Sequence, residues 1–114
     1  MTEEAIHSHR EITLRAERRG STTRYLTARG TENGGLQIEG QDLGNFQDPI
    51  VAPDGEYEWV WEITADNLPV LCRTLDIDPD ADVLDQLAAH WSHAASDELE
   101  RRVRESGLAQ LWVL

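Results

Sequence analysis

Four aspartates alternate along one stretch, Asp76, Asp78, Asp80 and Asp82, and alternating carboxylates are how a calcium-binding loop opens. Such a loop also needs a glycine at its sixth position and a bidentate glutamate at its twelfth. Here those positions hold Ala81 and Leu87, and Pro79 stiffens the middle. The run reads instead as a solvated connector whose aspartates cap the next helix and favour its positive end. His90 and His93 have the spacing that shares one helix face, and His7 and His9 share a strand face if extended. Either pair needs a third ligand from elsewhere to hold a metal. No HExxH or CxxC pattern supplies one, so the histidines read as surface residues. Cys72 is the one cysteine and falls on an apolar helical stripe, where a thiol packs as a small hydrophobe. Glu56, Glu58 and Glu62 alternate with Tyr57, Trp59 and Trp61. Paired acids can do acid–base work, but this alternation sends the acids to an outward face and the aromatics to a core that Trp91 and Trp112 complete. No catalytic residue, metal site or cofactor motif emerges, and the chain does not read as an enzyme.

The elements that position these residues follow from hydrophobic period. Residues 1–9 read as a flexible polar lead-in, and residues 10–114 as a single domain. Ile12, Leu14 and Ala16 alternate within a strand from Glu11 to Arg19, broken by Gly20-Ser21; Thr22 to Arg29 is a second strand. Gly30 to Gly35 is a turn cluster, and Leu36 to Glu39 a short third strand. Gly40 to Gly55 reads as a loop, rich in glycine, proline and aspartate. Glu56 to Thr64 is the clearest strand. The period then lengthens to that of helices. One runs from Thr64 or Asp66 to Leu75, one follows Asp80 or Asp82 with Val83, Leu84, Leu87, Ala88 and Trp91 as its stripe, and one opens at Ser96 or Asp97 and stops at Gly107. Leu108 to Leu114 can be a last strand. Strands grouped before helices predict an α+β fold: an antiparallel sheet of three to five strands with two or three helices packed on one face.

Charge narrows the partners. The chain of 114 residues carries 22 acidic and 10 basic residues, a net charge of −12. Every basic residue is arginine. Residues 1–30 hold six arginines against four acids, while residues 31–99 hold sixteen acids and Arg73 alone. A surface this acidic repels nucleic acid and anionic membranes and attracts basic proteins. Salt adaptation would produce the same composition. No apolar run reaches the ~18 residues of a membrane span, and the start Met1-Thr2-Glu3-Glu4 lacks the form of a secretory signal. The expected location is the cytoplasm.

The segments Leu36-Gln37-Ile38-Glu39-Gly40-Gln41-Asp42-Leu43-Gly44 and Glu56-Tyr57-Glu58-Trp59, followed by Asp66-Asn67-Leu68-Pro69 and a leucine-rich helix, resemble those of small actinobacterial proteins, several of them similar to immunity proteins of polymorphic toxin systems. The resemblance spans roughly residues 10–114 and rests on two short distinctive segments, Gly40–Gly44 and Glu56–Trp59. It implies a non-catalytic, immunity- or antitoxin-like inhibitor that masks a basic toxin site, such as a nuclease domain. Asp42, Asp48, Asp54, Glu56, Glu58 and Glu62 are then the steering carboxylates and Phe46 the buried anchor. The protein would act as a monomer or homodimer. A small regulatory or scaffold module that binds a host protein is the alternative, and a metal-binding protein or enzyme built on the Asp76–Asp82 run and the histidines is a second.

The defective calcium motif makes a direct prediction. Micromolar calcium should leave the melting temperature of the protein unchanged; a rise of several degrees would show that the native state binds the ion.

Overall fold

The computed structural model describes residues 10–44 and 56–114. Five strands, β1 (Glu11–Arg19), β2 (Thr22–Gly30), β3 (Leu36–Leu43), β4 (Glu56–Ile63) and β5 (Ala109–Val113), form one antiparallel sheet in chain order. Between β4 and β5 come α1 (Leu68–Thr74), α2 (Val83–His90), a 3-10 turn (His93–Ala95) and α3 (Ser96–Ser106). The fold is α+β, with the helices on one face of the sheet. No described helix is long and apolar enough to cross a membrane.

Alternation decides which face the helices cover. Leu36, Ile38 and Gly40 of β3 are buried, as are Trp61 and Ile63 of β4, while the residues between them are not. With Leu26 and Ala28 of β2 they meet Leu71, Cys72 and Leu75 around α1, Leu84 and Leu87 of α2, and Leu99 and Val103 of α3. Cys72 is part of this core, and burial pushes its thiol pKa up. Helix boundaries follow local chemistry. α1 begins at Leu68, later than Thr64 or Asp66, because Asn67 and Leu68 donate back to the Thr64 carbonyl in a turn and Pro69 occupies the first helical turn. Asp82 caps α2 by accepting the Asp85 N–H at 2.9 Å, and that bond holds its carboxylate pKa below the usual range. Gly107 ends α3 in the left-handed region at φ 71°.

Two stretches differ from the pattern in the sequence. In β1 the register slips between Thr13 and Arg15, a β-bulge that makes Leu14 the extra residue. Leu14 and Arg15 are therefore both buried, and Ala16 faces out. In β3 the strand continues through Leu43, so the loop expected from Gly40 begins four residues later. Its remainder, residues 45–55, lies outside the described residues, as does the lead-in 1–9. Gly40 belongs to the sheet because the Trp59 indole lies across it. A Cβ at this position would sit 2.1 Å from two ring carbons, so glycine is here for close approach rather than for a turn. Gly40→Ala should cost about 1–3 kcal/mol through overpacking, read as a melting temperature lower by roughly 4–12 °C; an unchanged midpoint would show that the indole has room to move.

Candidate functional site

One cluster of ionisable groups reaches from the surface into the interior between the sheet and α3. Bulging of β1 drives Arg15, 2% exposed, under α3. Its Nε donates to Ser96 Oγ at 2.9 Å, and its Nη2 donates to Asp97 at 2.8 Å and to Glu100 at 3.0 Å. The second Glu100 oxygen accepts the indole N–H of Trp59 at 2.8 Å and that of Trp61 at 3.3 Å. Arg24 extends the cluster, donating to Glu17 at 2.8 Å and Asp97 at 3.2 Å, with Asp42 at 3.8 Å. Burial lowers the Arg24 pKa, but the facing carboxylates, Asp97 first, outweigh it and leave it raised. Asp42 behaves in the opposite sense. Burial pushes its pKa up, and the attraction of Arg24 and Arg15 only partly offsets this. Asp42 Oδ1 and Arg15 Nη1 have no hydrogen-bond partner among the described residues.

This cluster suits a structural role. Both oxygens of Glu100 are occupied by donors, and Arg15 is spread over three partners. A small depression beside it is lined by Arg15, Ala16, Glu17, His93, Ala94 and Asp97. Part of the aspartate run is engaged as well. Asp82 and Asp85 pair with Arg10, and Asp78 accepts from the Asp80 N–H. His90 ends α2 whereas His93 stands in the 3-10 turn at φ 56°, so the two do not share a helix face. His7 and His9 lie outside the described residues. Among the described residues, no three His, Cys, Asp or Glu side chains gather as a metal would require.

The opposite face of the sheet has another character. Pairing across β1 to β5 sets side chains there in rows: Glu11, Arg29, Gln37, Glu62 and Gln110; then Thr13, Thr27, Glu39, Val60 and Trp112; then Ala16, Tyr25, Gln41 and Glu58. None of these residues is buried. Arg29 donates to Gln37 at 2.8 Å and Gln37 to Glu62 at 3.3 Å; Gln41 donates to Glu58 at 2.8 Å; Arg29 stands 3.6 Å from Glu39. These bonds leave the carboxylates fixed in position but partly open. A cleft of about 560 Å³ opens at the Arg29 end, near the Gly30–Gly35 turn, and its Arg29, Gln37 and Glu62 side chains already bond one another.

The expected binding residues therefore separate. Glu56, Glu58 and Glu62 share the outer face. Asp42 lies on the helix side, half-buried in the interior cluster, because β3 extends through it. Phe46, Asp48 and Asp54 lie outside the described residues. Trp112, expected in the core, is 49% exposed on the outer face beside Val60. Glu39, Gln37, Gln41 and Tyr25 join the face unanticipated. Tyr25, Gln37 and Glu39 alternate within the second and third strands as read from the sequence, and Gln41 follows once the third strand is carried two residues further.

The interior cluster should behave as a unit. Glu100→Leu strands Arg15 and two indole N–H groups and should cost about 3–5 kcal/mol. Arg15→Met with Glu100→Leu should cost less than the two single changes together, with a coupling of at least about 1 kcal/mol in a chemical-denaturation cycle. Additive losses would show that the groups do not act through one another.

No family model, curated protein or solved structure matches the chain, so the reading of its function rests on the geometry of these two faces.

Proposed function

We propose that this protein is a non-catalytic binding domain that presents its outer sheet face to a basic protein, in the manner of an immunity or antitoxin-like inhibitor covering a basic toxin surface. The observation that carries the reading is a face that no described element covers, on which Trp112 and Val60 are bordered by Glu39, Glu58 and Glu62. An aromatic anchor set among oriented charges is the composition of a binding hot spot with its steering rim. The carboxylates are held by Gln41, Gln37 and Arg29, so less side-chain freedom is lost on binding. The face carries five acids, Glu11, Glu39, Glu56, Glu58 and Glu62, against Arg18 and Arg29, in a chain whose net charge is −12. A basic nuclease domain is the partner class such a face fits, and nucleic acid and anionic membranes are repelled by it. The cytoplasm is the proposed setting. Phe46, Asp48 and Asp54 remain part of the proposed contact through the β3–β4 connection, with Trp112 as the anchor.

The test is capture of partners from the native host, followed by association kinetics. Wild-type chain should recover a basic protein whose association rate falls as salt rises, because screening shortens the reach of the field to ~8 Å at physiological ionic strength. Glu39→Lys, Glu58→Lys and Glu62→Lys combined should slow association at least about tenfold at low salt, with circular dichroism unchanged. Trp112→Ala should instead speed dissociation. Equal association rates for wild type and the triple variant, without salt dependence, would place the binding surface elsewhere.

A further inference from the structure

The two edges of the sheet are protected very differently. β1 carries Glu11, Arg15, Glu17, Arg18 and Arg19 and is bent by its bulge, the devices by which sheets keep an edge from pairing with another chain. β5 reads Ala109-Gln110-Leu111-Trp112-Val113, with no charge, no proline and no register shift against β4. Leu111 is 45% exposed and Val113 55%. Among the described residues, nothing pairs with its free side.

The geometry points to a second copy of this chain as the occupant of that edge. Leu114 donates its N–H to the Glu58 carbonyl. By the alternation of antiparallel ladders, Trp112 and Gln110 also aim their backbone groups at β4. Ala109, Leu111 and Val113 therefore aim theirs away from the sheet. This outward set is symmetric about Leu111. Two copies related by a two-fold axis there would pair Leu111 with Leu111, and Ala109 with Val113 in both directions, satisfying every outward N–H and C=O of the strand. The Leu111 side chains meet on the helix side, and each Gln110 stands across from a Trp112 on the outer face. No like charges oppose one another within the strand pair. A foreign strand would have to be recognised by side chains, and Gln110 is the only polar one on β5. The guarded β1 edge stops growth at two copies, so the product is a closed ten-stranded sheet with one continuous outer face.

This inference goes beyond the acidic-face reading and answers to salt with the opposite sign. Association of two chains of charge −12 is opposed by repulsion, so screening strengthens it. A single strand pair is smaller than the ~1,600 Å² of a standard interface, so the dimer is weak and concentration-dependent. Sedimentation of the full chain should show twice the 12.9 kDa chain mass at high protein concentration, with the dimer fraction rising as salt rises. Leu111→Pro is the sharp variant. The N–H it removes points away from β4, so the ladder to β4 stays whole, and the variant should sediment at the single-chain mass with a native circular dichroism spectrum. Should the proline variant fail to fold, Val113→Lys keeps every ladder bond and should give the same single-chain mass. A wild-type chain that stays at the single-chain mass at every concentration overturns the inference. So do a dimer that survives Leu111→Pro or Val113→Lys, and open-ended growth beyond two copies.

Discussion

One carboxylate holds the two layers of this fold together. Glu100 stands on the buried stripe of α3 and receives the guanidinium of Arg15 from β1 and the indoles of Trp59 and Trp61 from β4. These strands lie on opposite sides of β2 and β3 in the sheet order, so the Arg15 side chain and the two indoles converge on one carboxylate from both directions. Burying a carboxylate is costly unless every oxygen is bonded. Here both oxygens are satisfied, and removing Glu100 would orphan its bonds from Arg15 and both indoles in a largely buried site. The net contribution to stability over an apolar packing can be small. What the cluster supplies is a unique register between α3 and the sheet, since an apolar contact could slide where this one cannot.

The charge pattern along the chain follows from that docking. Three of the six arginines of the first thirty residues face acids of the helical half. Arg10 reaches Asp82 and Asp85 at the start of α2, Arg15 reaches Asp97 and Glu100 on α3, and Arg24 reaches Asp97. Within α3, Glu98 pairs with Arg101 and Arg102, whose hydrogen bonds hold its carboxyl at about 2. These pairs are exposed, and each adds little to stability. The helix layer thus uses much of the positive charge of the protein. The sheet face away from the helices carries Glu11, Glu39, Glu56, Glu58 and Glu62 against Arg29 and Arg18, so it too keeps an excess of acid.

Much of the architecture was legible because period alone carries it. The change of spacing near Thr64 separates strands from helices, and the alternation in β4 sorts Trp61 and Ile63 from Glu58 and Glu62. The departures share a cause in tertiary contacts that no local pattern records. Arg15 alternates with apolar neighbours and so reads as outward, yet a bulge at Leu14 turns it in. Gly40 reads as a loop residue, but it serves to let Trp59 lie flat against β3. Asp42 inherits the face that this longer strand gives it. Trp112 reads as core, yet its pairing with Val60 sets it on the sheet face away from the helices. One signal for the interior cluster was present in the sequence. Ser96, Leu99, Glu100 and Val103 follow the spacing of a buried helical stripe, and a glutamate on such a stripe requires donors, which two tryptophans on the inward face of β4 can provide.

The central claim is that Glu100 accepts from Arg15 and both indoles in a water-excluded site and thereby fixes the helices to one face. Hydrogen exchange of the four tryptophan indole N–H groups, followed by NMR, tests it within a single spectrum. The indoles of Trp59 and Trp61 should exchange only through the opening that exposes the core amides, while that of Trp112, on the open face, exchanges within the dead time. Exchange of Trp59 and Trp61 as fast as Trp112 would contradict the account, for it would mean that water reaches Glu100 in the native state.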